Sequence, residues 1–221
     1  TRTGGIWSQQ GNKLVGSGAV GYAPHQGRSV SISSDGNTAI VGVANDNNGV
    51  GAAWIYTRNG NGIWSQQGNK LVGSGAVGNA NQGNSVSISA DGNTAIVGGY
   101  SDDSNKGAVW VYTRTGGIWS EQGGKILGGN YFLQPRHGCS VSLSANGNTA
   151  IVGGYGDNSN VGKAWVYTRI AGNWYSQAFG FLVGSGAVGT ARQGWSVSIS
   201  ADGQTAIVGG YSDNSNVGAT W

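Results

Sequence analysis

The pattern of apolar and polar positions repeats four times along the chain. Ser85-Val86-Ser87-Ile88-Ser89 alternates small polar with apolar residues, the period of a strand. Ala90-Asp91-Gly92-Asn93 follows, and Asp-Gly between two such runs predicts a hairpin. Residues 94–98 form a short, almost continuous apolar run, the second strand. A polar loop over residues 100–106 leads to a third strand at 108–113, with Val109 and Val111 on one face and Trp110 and Tyr112 on the other. A fourth strand runs from about 118 to 127. No segment carries a helical period.

The other copies hold the same register. Ser-Val-Ser-Ile/Leu-Ser begins at Ser29, Ser85, Ser140 and Ser196, spaced by 56, 55 and 56 residues. Trp54, Trp110, Trp165 and Trp221 keep that spacing, and Trp7, Trp64, Trp119 and Trp174 form a second set. Four strands per repeat of this length is the pattern of a propeller blade, which buries its faces only by stacking on neighbours. The predicted fold is an all-β propeller of four four-stranded blades, forming one domain over residues 1–221. The blades are expected at about 21–77, 78–133, 134–188, and 189–221 together with 1–20. In that last pairing the N-terminal strand completes the C-terminal blade and removes an exposed edge. The rival is a half ring that joins a second copy as eight blades by the same strand donation.

Composition supports strands over disorder. Glycine is 44 of 221 residues and charged residues are only 10%, yet nine Trp and nine Tyr are present. The net charge is +3, but the twelve Lys and Arg are scattered, three of them in a repeated Tyr-Thr-Arg, so a nucleic-acid partner is not expected. No apolar run approaches a membrane span, so membrane insertion is not expected either. A single cysteine, Cys139, excludes an internal disulfide. Methionine is absent and no signal peptide is seen, which suits a mature product or an excised fragment. Low charge with Gly, Ser, Asn and Thr richness suits an extracellular protein.

Gln-Gly-x-Ser-Val-Ser-Ile-Ser, Thr-Ala-Ile-Val-Gly-Gly-Tyr, Gly-Ala-x-Trp-Val-Tyr and Trp-Ser-Gln-Gln-Gly-x-Lys-Leu, in that order, resemble the FG-GAP repeat of integrin α-type β-propellers, in its bacterial extracellular form. The likeness covers essentially the whole chain; a looser one is to kelch repeats. The Phe-Gly is Gln82-Gly83 here, and the Gly-Ala-Pro is Gly98-Gly99-Tyr100. The resemblance implies a secreted or cell-surface binding or adhesion scaffold and leaves the ligand open. Blades of that family often carry a Ca²⁺ loop between the first two strands. One acidic residue per hairpin (Asp35, Asp91, Asp202, with Asn146 in the third) falls short of six to eight oxygens, so no metal or other cofactor is expected. The second acidic loop, at Asp46, Asp102-Asp103, Asp157 and Asp213, reads either as turn chemistry or as a weak cation site.

Candidate ligand-binding residues lie where the copies disagree, in the loop before each first strand. They are Tyr22, His25 and Arg28 in the first repeat, Tyr131, Arg136 and His137 in the third, and Arg192 and Trp195 in the fourth. Trp195 stands where the other copies have Arg28, Asn84 and Cys139, near the axial mouth, where it would stack on a sugar or plug the channel. Catalytic residues are not expected: the two His lack an acidic neighbour, and Cys139, two residues after His137, reads as an idle thiol. The function expected is non-catalytic, multivalent recognition of a glycan or a cell-surface protein outside the cell. The alternative is a structural repeat protein, a self-assembly unit forming oligomers or filaments.

Overall fold

A computed structural model describes residues 1–129 and 134–221. Four antiparallel sheets are arranged as a four-bladed β-propeller. Residues at the start form a separate hairpin, β1 (Arg2–Thr3) with β2 (Ile6–Trp7). The first blade is β3 (Ser29–Ile32), β4 (Thr38–Val43), β5 (Ala52–Arg58) and β6 (Trp64–Gln66). The second is β7 (Ser85–Ile88), β8 (Thr94–Gly99), β9 (Ala108–Thr115) and β10 (Ile118–Glu121). The third is β11 (Ser140–Leu143), β12 (Thr149–Gly154), β13 (Lys163–Ile170) and β14 (Asn173–Leu182). The fourth has three strands, β15 (Ser196–Ile199), β16 (Ala206–Gly210) and β17 (Ala219–Thr220). Within each sheet the strands pair in chain order.

Each Asp-Gly hairpin spends its acidic side chain on its own turn. Asp91 Oδ1 accepts from Ser89 Oγ at 2.5 Å and from the Asn93 amide at 3.0 Å, while the Thr94 amide donates to Ser89 Oγ at 2.9 Å. The same bonds recur around Asp35, and around Asn146 with an amide oxygen in place of the carboxylate. The loop between the second and third strands contains one helical turn in each copy: Asp46–Gly49, Asp102–Asn105, Asp157–Asn160 and Asp213–Asn216. These segments are too short to show a period in the sequence. Their middle residues sit at positive φ, as at Asn47 and Asn48, which suits Asn better than β-branched residues. The Asp that opens the turn is buried and tied down. Asp102 accepts the Val77 amide at 2.7 Å and the Lys125 ammonium at 2.6 Å. In the first three copies that Asp also pairs with a lysine, Lys70, Lys125 or Lys163. Among the described residues no group of three His, Cys, Asp or Glu could hold a metal ion.

The core lies between blades. Ile40 and Ile55 of the first blade pack with Val86, Ile88, Trp110 and Tyr112 of the second, and Ile96 and Val111 of the second pack with Leu143, Trp165 and Tyr167 of the third. Each blade thus presents aromatics to the blade before it and isoleucine to the blade after. Contact is close enough to require glycine. A Cβ on Gly98 would stand 2.2 Å from the Gly138 carbonyl oxygen of the next blade.

The expected completion of the fourth blade by residues 1–20 is not seen. β1 and β2 pair only with each other, and β17 only with β16. The three interior junctions are built from one set of bonds and so repeat nearly one geometry. After three such steps no hydrogen bond joins β15 to β3 among the described residues.

Candidate functional site

The residues that precede the four first strands, Arg28, Asn84, Cys139 and Trp195, come together at the mouth of one cavity. These four, with Tyr100 and Tyr155, line a cavity of about 330 Å³. The four copies put a cation, an amide, a thiol and an indole at one equivalent position. Arg28 donates to Asn84 Oδ1 through Nε and Nη2, both at 3.3 Å, and Asn84 donates to the Cys139 carbonyl at 3.0 Å. Cys139 Sγ donates to the Gly194 carbonyl at 3.1 Å, and burial pushes the thiol up to about 11, so it stays protonated near neutral pH. The rim is a chain of hydrogen bonds running from blade to blade.

The fourth position breaks that chain and substitutes aromatic stacking. Trp195 is 46% exposed and sits between Tyr155 and Tyr211, its centroid 4.7 Å from each, with interplanar angles of 54° and 72°. Each tyrosine is backed by an arginine from the loop that precedes a first strand. Arg136 lies 5.1 Å from the Tyr155 ring and donates to its hydroxyl at 2.6 Å, and Arg192 lies 5.3 Å from the Tyr211 ring and bonds its hydroxyl. Arg136–Tyr155–Trp195–Tyr211–Arg192 is therefore one continuous run of ring and cation contacts, tilted at Tyr155 and edge-on at Tyr211, that fixes the indole at the rim of the cavity.

The backbone explains how these loops aim their side chains. His25, Asn81, Arg136 and Arg192 occupy one equivalent position, and all four have φ of 56° or 57°. That conformation is unusual for residues other than glycine. In the third and fourth copies it turns the arginine toward the tyrosine that follows the second strand, Tyr155 or Tyr211, whereas Asn81 Nδ2 donates to the Ala44 carbonyl of the first blade at 3.1 Å. His25 Nδ1 instead meets Asn45 Nδ2 at 2.7 Å, because the first copy has Ala44 where the others have tyrosine.

The expected site residues separate into groups. Arg28 and Trp195 line the mouth, and Arg136 and Arg192 support its aromatic wall. His25 shares a neighbouring cavity with Arg28 and Tyr100, whereas Tyr22 lies in another, beside Asn45 and Asn79. Tyr131 lies outside the described residues. His137 requires correction as a ligand contact: it is fully buried, edge-on to Trp165 at 4.9 Å, with Nε2 2.9 Å from the Tyr167 hydroxyl. Burial, with a smaller contribution from the Lys163 ammonium, lowers its pKa to about 3, so it is neutral. Tyr100, Tyr155, Tyr211 and Asn84 were missed. For the three tyrosines the signal was the place after Gly-Gly, held by tyrosine in three copies and by Ala44 in the first; for Asn84 it was equivalence to Trp195.

Fold and mouth together define the protein as a β-propeller with a composite aromatic and polar cavity at one end of its axis. The model of the FG-GAP repeat matches residues 64–112, which run from the outer strand of the first blade through the third strand of the second. Those residues match the FG-GAP repeat that the sequence resembles. Such repeats form propellers that often serve as binding or adhesion modules, are typically non-catalytic, and are generally extracellular or at the cell surface. No curated protein matches the chain. No helix among the described residues is long and apolar enough to cross a membrane.

Proposed function

We propose that the protein is a non-catalytic binding module acting outside the cell or at its surface, and that the axial mouth takes a glycan. The observation that carries this reading is the exposed indole of Trp195, held between Tyr155 and Tyr211 beside the Arg28–Asn84 pair. Aromatic faces stack on the apolar faces of sugar rings, while amide and guanidinium groups bond their hydroxyls. Small-molecule sites combine apolar walls with a few fixed polar groups in this way. A cavity of about 330 Å³ falls at the small end of ligand pockets, which suits one or two sugar units. The site is single and composite, since its four equivalent positions carry four different side chains. Avidity would then come from several protein copies on one glycan surface.

The test is a glycan array followed by calorimetry on the best saccharide. Trp195→Ala is expected to weaken binding by a factor of ten or more, equivalent to about 1.4 kcal/mol, with thermal stability little changed. Arg28→Ala should weaken it as well, and Tyr22→Ala should not. No saccharide signal, or binding indifferent to Trp195, would sink the reading; capture of a surface protein through the same residues would replace it.

A further inference from the structure

We propose that the sugar taken at the axial mouth carries an anionic group, a carboxylate or a sulfate ester, which docks on Arg28 while the ring stacks on Trp195. This rests on the glycan reading and names the class of glycan.

The charge at the mouth has one sign. Among the residues that line the cavity, Arg28 carries the only formal charge. The others are an amide, an indole, two phenols and the Cys139 thiol, which burial keeps protonated. Arg136 and Arg192 back the aromatic wall, each bonded to a tyrosine hydroxyl. The ion pairs among the described residues all use lysine: Lys70, Lys106, Lys125 and Lys163. The guanidinium groups around the mouth are instead partnered by an amide oxygen, hydroxyls and rings, which leave their charge unneutralised. A cleft lined by one sign of charge draws in the opposite sign.

The geometry of Arg28 suits an acid. Its Nε and Nη2 both donate to the single Oδ1 of Asn84 at 3.3 Å, longer than most N–H···O bonds. Its Nη1 bonds nothing among the described residues. Asn84 is itself tied to the Cys139 carbonyl, so it fixes the arginine from one edge and leaves the Nη1–Nη2 edge to a ligand. A carboxylate or sulfate offers that edge two oxygens at once. The bonds that form are short and charge-assisted, which neutral sugar hydroxyls cannot match.

A second cavity, of about 220 Å³, adjoins the first, because Arg28, Asn84 and Tyr100 line both. It adds His25, Asn45 and Asn81, and no carboxylate lines either cavity. Arg28 stands where the two meet. An acidic unit bound there has an aromatic wall on one side and amides on the other, so a saccharide longer than one ring is accommodated across it.

A glycan array spotted with matched sets, each a neutral saccharide with its uronate and its sulfate ester, tests this, followed by calorimetry on the best set. An acidic member is expected to bind at least about tenfold tighter than its neutral counterpart. Raising NaCl to about 0.5 M should erase most of that difference. Which ester or acid is preferred identifies the group as sulfate or carboxylate. Arg28→Gln keeps an amide and removes the charge. Its affinity for the acidic member should fall to the neutral level, while neutral binding changes less than about twofold, which also shows the variant is folded. Equal binding of neutral and acidic members, both lost in Trp195→Ala, would overturn the acidic class and leave the glycan reading standing. Absence of all saccharide binding would overturn both. Acetate or inorganic sulfate binding as tightly as the acidic sugars would overturn the proposal too, because the ring would then contribute nothing.

Discussion

The second and fourth blades are written in nearly the same residues and have opposite surroundings. Ile96, in the second strand of the second blade, is 1% exposed, while its counterpart Ile207 is 52% exposed. The same contrast holds at the other end, where Val86 is 8% exposed and its counterpart Val30 is 69% exposed. A blade is thus not a core by itself. Its two faces become interior only when a neighbour supplies isoleucine on one side and tryptophan and tyrosine on the other. Stability in such an array is a sum of junction terms more than of blade terms.

That view is broken most directly by paired substitutions. Ile96→Ala should cost about 2–5 kcal/mol in chemical denaturation, because it opens a cavity between the second and third blades. Ile207→Ala, measured in dilute protein, should cost no more than about 0.5 kcal/mol, as at other exposed sites. Equal losses would mean that the last face is covered in solution even at low concentration.

The buried aspartates sharpen the comparison with a smaller effect. Asp102→Ala removes the acceptor of both the Val77 amide and Lys125, and about 3 kcal/mol is expected, the low end for breaking a buried pair, since Lys125 still reaches solvent. Asp213→Ala loses only the bond from the Val188 amide, and about 1 kcal/mol is expected. Thermal denaturation of the two variants should differ in that order. A reversal would show that the Lys125 pair contributes nothing.

How much of this was legible in the sequence depends on whether the information was local. Strand periods, Asp-Gly hairpins and the spacing of Trp110 and its counterparts are local, and they specify strands, turns and inter-blade aromatics. The loop around Arg136 and Arg192 was marked by disagreement between copies. What it does was not legible, because those side chains act on Tyr155 and Tyr211 through a left-handed backbone conformation that no residue type announces. Ring closure was not legible for a related reason. The residues that would close the ring are correct in type and register, but whether they meet depends on the rotation each junction imposes, a quantity spread over every contact in the seam. His137 was misjudged because an ionisable residue in a variable loop suggests a surface, whereas its position is that of Gln82 and Gln193, which are fully buried.

That histidine supports the last prediction, in which one interior junction is set against its siblings. Gln82 Oε1 accepts the Gly73 amide at 2.6 Å and its Nε2 donates to the Gly73 carbonyl at 3.2 Å, and Gln193 makes the same clip to Gly184. His137 lies against the equivalent Gly128 but keeps its Nδ1 unpartnered. Its folded pKa is depressed to about 3 from 6.5, so the unfolded chain binds the proton more tightly. Its neutral form therefore contributes stability that is complete above pH 6.5 and is lost as pH falls from there toward 3. The loss is about 1.4 kcal/mol per pH unit, close to 1.4 kcal/mol at pH 5.5. His137→Gln restores the amide clip to Gly128 and removes the titrating group. Denaturation midpoints of the variant should be flat between pH 7 and 5, where those of the parent decline. An unchanged slope would place the acid sensitivity elsewhere, and not among the hairpin carboxylates such as Asp35. The Ser33 hydroxyl and the Asn37 amide hold Asp35 below the usual carboxylate range, so its contribution fades only below about pH 4.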